Sequence, residues 1–221
     1  MKLLRMSWVL FPIFGSLLAL LFRTSERDWR TYQVPAKTQV SRLLLPLPDG
    51  SVIRLIGVPD HTGQVAFWLG EREVSWSEAR ALGLEVRGDG YAASLSYQEA
   101  LVFCDRLAEW SGRIVRLPTV DEWRQAARGG IQDAEAVWGF GLKNPPEGLA
   151  FAREIPKKRV GRPLGFGFRD LAGGLWEWTK DGHVIGSAWA EQNPETLHLA
   201  YTLKLPEGYQ GPDVGLRVLV R

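Results

Sequence analysis

Apolar residues crowd together at one end of this chain and are spaced over the rest of it. From Met6 to Phe22 the sequence MSWVLFPIFGSLLALLF contains no charged side chain. At about 1.5 Å per residue the run makes roughly 25 Å of helix, and extending it back to Leu3, with Arg5 snorkelling to the headgroups, matches a bilayer core. The pattern predicts a transmembrane anchor over residues 1–23 and a polar juxtamembrane linker over 24–42. LLALLFRTSE has no small-residue cleavage pattern, so the segment reads as a retained anchor rather than a signal peptide. Pro12 removes one helix hydrogen bond and allows a kink, which a neighbouring membrane helix can accommodate. Lys2 and Arg5 precede the run, whereas Arg23, Arg27 and Arg30 after it are mixed with Glu26 and Asp28. The bias predicts a cytoplasmic amino terminus, with residues 43–221 forming a globular domain on the periplasmic or extracellular side.

Within that domain the spacing changes. Leu43–Val58 alternates around Pro48-Asp49-Gly50, a turn-forming cluster, and reads as a β-hairpin. Three short helices follow, each announced by a capping box: Ser75-Trp76-Ser77-Glu78, Ser96-Tyr97-Gln98-Glu99 and Thr119-Val120-Asp121-Glu122. In this device the hydroxyl accepts the N–H three residues on, and the glutamate reaches back to the cap's own N–H. Gly83, Gly112 and Gly129-Gly130 supply the stops, where the backbone turns left-handed. On the second helix Ala100, Cys104, Leu107, Ala108 and Ser111 share one face, which makes Cys104 a small buried residue rather than a reactive thiol. Asn144 to Asp170 is rich in Pro, Gly and basic residues, while Leu175–Trp178 and Val214–Val220 read as strands; no internal repeat is visible.

Charge and composition narrow the chemistry. Lys2, Arg5 and Arg23 are three of 27 basic residues, so beyond residue 23 only 24 basic side chains face 25 acidic ones. A domain so near neutrality offers no basic surface for nucleic acid. One cysteine excludes an internal disulfide and any cysteine-built zinc or iron–sulfur site. Ten tryptophans suit a fold with much irregular backbone held by large side chains that carry a polar handle.

Seven blocks in order then become recognisable. RLPTVDEWRQAARGG at Arg116–Gly130 resembles the most distinctive motif of the formylglycine-generating enzyme, or sulfatase-modifying factor, family. Upstream, EREVSWSEA (Glu71–Ala79) and LSYQEALVFCDRLAEWSG (Leu95–Gly112) are similar to that family's "EVT" segment and first long helix. Downstream, VWGFG (Val137–Gly141), FGFRDLAGGLWEWTKD (Phe166–Asp181), GSAW (Gly186–Trp189) and GLR (Gly215–Arg217) are similar to its "PWG", "GNVWEW", "GGSW" and "GFR" elements. The resemblance implies an α+β, C-type-lectin-like fold behind the anchor, with Arg116, Pro118, Glu122, Trp123, Arg128, Trp176, Trp178 and Arg217 as its structural motif positions.

The departures bear on function. The family activates oxygen through a cysteine pair in its C-terminal third, where thiolates suit copper(I), yet Gly182–Arg221 contains no cysteine. A second branch uses a histidine-rich iron site, but His61, His183 and His198 are widely spaced. The family also holds calcium with an Asn and the Glu of its "GNVWEW" block. Here Gly174 replaces the Asn, leaving Glu177 as a weakened calcium candidate whose expected role is to satisfy backbone N–H groups of a loop. No nucleophile elbow places a hydroxyl beside a base, and Gly165-Phe166-Gly167 is too short for a phosphate loop. Lys157-Lys158-Arg159, flanked by Arg153 and Arg162, reads as a solvated loop or as a contact for an acidic surface.

These readings predict a membrane-anchored, non-catalytic binding or scaffold module. Its membrane contact is residues 6–22, its partner another membrane protein or complex, or a carbohydrate or peptide at the cell surface, and calcium is its only candidate cofactor. The alternative is a divergent formylglycine-generating-type or non-haem metal oxygenase.

Overall fold

The long apolar stretch Val52–Pro59 folds as a strand covered on both faces, and this arrangement organises the domain. The structure, a computed structural model, describes residues 40–85, 88, 94–130, 134, 166–191 and 193–221. The anchor 1–23, nearly all of the linker 24–42, the Val137–Gly141 block and the basic run at 157–159 lie outside the described residues. Among the described residues no helix is long and apolar enough to cross a membrane. The chain divides into two units, Met1–Gln33 and Val34–Arg221, and every described residue belongs to the second.

The strands are β1 (Arg42–Pro46), β2 (Val52–Pro59), β3 (Val65–Gly70), β4 (Val115–Arg116), β5 (Trp176–Trp178), β6 (His183–Ile185), β7 (Leu203–Lys204), β8 (Val214–Gly215) and β9 (Leu219–Val220). The helices are α1 (Trp76–Ala81), α2 (Tyr97–Ser111) and α3 (Val120–Arg128), with a 3-10 turn at Pro194–Leu197. One sheet runs β1-β2-β3-β9-β4 and the other β7-β6-β5-β8, giving an α+β fold. The predicted hairpin is β1 against β2, with Leu45 opposite Ile53. Because side chains alternate along a strand, Ile53 and Leu55 join Phe103, Cys104 and Leu107 of α2 in one core. Ile56 and Val58 join Trp123, Ala126 and Ala127 of α3 in the other.

All three capping boxes form as their sequences dictate, and Gly112 and Gly129 close α2 and α3 in left-handed geometry. The buried face of α2 is Ala100, Phe103, Cys104 and Leu107. It is turned toward Phe103 relative to the sequence expectation, leaving Ala108 and Ser111 at the rim. A local repeat missed in the sequence also appears. Arg72 grips Glu78 bidentately at 2.7 and 3.0 Å, and its Nη1 also donates to the Glu73 carbonyl. Arg116 grips Glu122 at 2.6 and 2.7 Å, with Nη1 donating to the Leu117 carbonyl. Both follow the pattern Arg-x-x-(Ser/Thr)-x-x-Glu, in which the arginine clamps the carboxylate of the capping box three residues beyond the cap.

Val214–Val220 does not form one strand. β8 lies parallel to β5 in the small sheet, and β9 pairs with β3 and β4 in the large one. The residues between them, Leu216, Arg217 and Val218, cross from one sheet to the other and are fully buried.

Candidate functional site

Burying a guanidinium requires nearby negative charge and acceptors for its N–H groups. The crossing delivers Arg217, 0% exposed, against Glu177 in the middle of β5. Arg217 Nη2 donates to Glu177 Oε1 at 2.7 Å and Nε lies 3.0 Å from both carboxylate oxygens. Nη1 donates to the Gly70 carbonyl and Nη2 also to the Arg169 carbonyl, each at 2.9 Å. Trp123, brought in by α3, donates its indole N–H to Glu177 Oε2 at 2.6 Å. One buried carboxylate thus ties α3, β5 and the inter-sheet crossing together.

A second buried carboxyl stands beside this pair. Glu73, on the link from β3 to α1, is 0% exposed, and its Oε2 lies 3.7 Å from Arg217 Nη2. Its Oε1 accepts the Leu175 N–H at 3.2 Å, while Oε2 has no hydrogen-bond partner among the described residues. Burial pushes the Glu73 carboxyl well above the usual range; Arg217 opposes this, and the charges of Glu177 and Asp170 reinforce it. Glu73 therefore keeps its proton where ordinary glutamates lose theirs.

Two expectations about Glu177 change as a result. Its partners are the side chains of Arg217 and Trp123, not loop N–H groups; the carboxyl that accepts a loop N–H is Glu73. The difference arises because Glu177 sits inside a strand whose backbone bonds go to neighbouring strands. The implied calcium set does not fit this arrangement either. A Cβ at Gly174 would collide with Glu73 Oε1 and the Asp170 carbonyl, so the space of the missing Asn is filled, and both Glu177 oxygens already accept hydrogen bonds. Among the described residues no three His, Cys, Asp or Glu side chains gather as metal ligands.

The other motif residues stay apart from this centre. Arg116 and Glu122 form their own clamp, which Arg221 joins at 2.9 Å. The Pro118 carbonyl accepts the Lys180 N–H, and Arg128 is exposed in the last turn of α3. Trp178 donates to the Leu95 carbonyl at 2.8 Å and packs on Tyr97, while Trp176 packs on Tyr201. In the C-terminal third a buried hydroxyl pair, Ser187 and Thr196 at 2.7 Å, joins the segment after β6 to the 3-10 turn. Ser187 and Asp170 are both buried non-glycine residues with left-handed φ, 63° and 56°. Cys104 is 2% exposed on α2, and burial pushes its thiol far above the usual range. Copper(I) coordination by a thiolate pair therefore has no donors here. Glu73 was the residue that sequence reasoning missed: it lay inside a matched block, but only the crossing of Arg217 reveals why an acid is needed there.

The comparisons agree with this picture. A family model described as the sulfatase-modifying factor enzyme 1-like domain matches residues 60–221. The chain is similar to the formylglycine-generating enzyme of Bos taurus, 29% identical over 138 residues, covering 54% of this chain and 35% of that protein. It is also similar to the inactive C-alpha-formylglycine-generating enzyme 2 of Bos taurus, 27% identical over 149 residues, covering 57% and 48%. It thus spans between about a third and a half of the length of these relatives. Among solved structures, Treponema denticola variable protein 1 shares the fold with a TM-score of 0.58 at 15% identity, covering 86% of this chain and 98% of that one. CarF does so with a TM-score of 0.56 at 17% identity, covering 82% and 98%. With the family model covering β3 to β9 and all three helices, well over half of the chain, the chain belongs to the FGE-sulfatase family, that of the sulfatase-modifying factor enzyme 1-like domain.

Proposed function

We propose that this chain is a membrane-anchored, non-catalytic member of its family, whose domain serves as a binding or scaffold module on a larger membrane protein or complex. The observation that carries the reading is the thiol inventory. The one cysteine is buried in an apolar core on α2, and the C-terminal third, where the family's chemistry is implied, has none. In that third the segment Pro194–Ala200 is fastened shut by Ser187–Thr196 and by Arg124, which donates to the carbonyls of Leu199 and Ala200 at 2.7 and 2.9 Å. Similarity to relatives named inactive supports the non-catalytic part of the reading. The apolar run Met6–Phe22 supports the anchor, and two linked contacts, one in the bilayer and one outside it, raise effective affinity without either being tight.

The test is purification of the full chain from membranes in mild detergent, with identification of what travels with it and measurement of bound metal and oxygen uptake with a cysteine-containing peptide. A stoichiometric membrane partner and extraction only by detergent support the reading. Copper or iron at one equivalent, with peptide-dependent oxygen uptake, replaces it with the divergent oxygenase. Release by alkaline carbonate, or an amino terminus beyond Phe22, removes the anchor.

A further inference from the structure

The large sheet ends, among the described residues, at β1, and an edge strand carries a row of backbone groups that another chain can pair with. Which groups these are follows from the register. Gly57 donates to the Ser41 carbonyl and Leu47 donates to the Ser51 carbonyl, so odd-numbered β1 residues bond inward to β2. Arg42, Leu44 and Pro46 therefore turn their backbone groups outward. Leu44 is 58% exposed, a large apolar side chain on an open edge.

That edge is self-complementary. Two copies of β1 laid antiparallel about Leu44 set Leu44 opposite Leu44 and Arg42 opposite Pro46. Each Leu44 N–H would meet the other Leu44 carbonyl, and each Arg42 N–H would meet the other copy's Pro46 carbonyl. Proline has no N–H, so the reverse bond to Arg42 cannot form. The Pro46 carbonyl is also taken: Trp110, at the end of α2, donates its indole N–H to it at 3.0 Å while its side chain stays in solvent, the residue being 54% exposed. Its polar atom is spent on the carbonyl that a second strand would need.

We propose that Trp110 is an edge guard: by occupying the outward Pro46 carbonyl it prevents a second copy of this chain from extending the sheet through β1. Pro46 withholds a donor and Trp110 withholds an acceptor, leaving only the Leu44 pair of hydrogen bonds. The occupant that the guard excludes is another β1, because the register matches and apolar Leu44 would cover itself.

Cross-linking tests this. In an H-bonded antiparallel pair facing Cα atoms lie about 5.5 Å apart, within disulfide range. Leu44→Cys is introduced into the full chain in detergent, with and without Trp110→Ala, and mild oxidation is followed by non-reducing electrophoresis. Native Cys104 is buried and stays silent. The expected result is about tenfold or more disulfide dimer when Trp110 is absent, since recovered hydrogen bonds act on both sides of the two-fold axis. His61→Cys, in the exposed β2–β3 turn, should show no such dependence. Trp110→Phe, which loses the N–H but keeps an aromatic ring, serves if the Ala variant does not fold. Equal cross-linking with and without Trp110, whether high or absent, overturns the proposal.

Discussion

Replacing Glu177 by Gln would remove the charge that faces Arg217 across 2.7 Å in a place where neither side chain meets solvent. Breaking one partner of a buried ion pair typically costs about 3–5 kcal/mol, because the other charge is left uncompensated. Here the loss is smaller, since Glu73 stands 3.7 Å from the same guanidinium and can give up its proton. We expect a cost of about 3 kcal/mol for Glu177→Gln, against a total stability of about 5–15 kcal/mol for a domain. Glu73→Gln should behave differently. The amide keeps an acceptor for Leu175 N–H and leaves the Glu177–Arg217 pair intact, so its cost should be at most about 1 kcal/mol.

The pH dependence separates the two further. The folded-state value of Glu73 lies above its unfolded value, so folding takes up a proton. Its contribution is fully present below the unfolded value near 4.5 and is lost as pH rises through the folded value. Glu73→Gln should abolish that decline. Urea unfolding followed by tryptophan fluorescence, from acidic to mildly alkaline pH, measures both effects. A Glu73→Gln variant as damaged as Glu177→Gln, or an undiminished decline with pH, would refute the assignment of the proton to Glu73.

Glu122 should behave in the opposite sense. Burial raises its carboxyl, but hydrogen bonds from Arg116 and Thr119, together with the Arg116 charge, outweigh it and bring it down to about 2. Its stabilisation is present above the unfolded value and lost as pH falls toward 2, so Glu122→Gln should flatten that acid limb of the unfolding profile. Cys104→Ala should cost roughly 1 kcal/mol or less, and native Cys104 should react with thiol reagents only at the rate of unfolding; labelling as fast as a free peptide would place it at the surface. Calcium at millimolar concentration should leave the unfolding midpoint unchanged relative to chelator. A calcium-dependent rise that Glu73→Gln abolishes would instead make the orphaned Glu73 oxygen a cation ligand.

Local structure was legible because its causes are local. Each capping box involves residues three apart, and each helix stop needs only a backbone free to turn left-handed, so Ser75, Ser96, Thr119, Gly112 and Gly129 could be assigned without knowing what lies nearby. The hairpin followed from alternation and one turn cluster, and the burial of Cys104 from helical spacing. The clamp repeat was equally local but went unread, because Arg72 and Arg116 lie outside the capping boxes that they brace.

What the sequence by itself determined, then, was where elements begin and end and which family motifs they carry. Only the tertiary structure decided what the central acids do. Glu73, Glu177 and Arg217 are spread along the chain, with 40 positions between Glu177 and Arg217 and 102 between Glu73 and the Leu175 N–H that it accepts, so nothing in the neighbourhood of any one of them names its partners. Their roles arise when the chain between β8 and β9 leaves one sheet for the other and carries Arg217 into the interior. Desolvation then makes the ion pair at Glu177 indispensable and raises the carboxyl of Glu73, a division of labour set by the packed core rather than by anything written at residues 73 or 177.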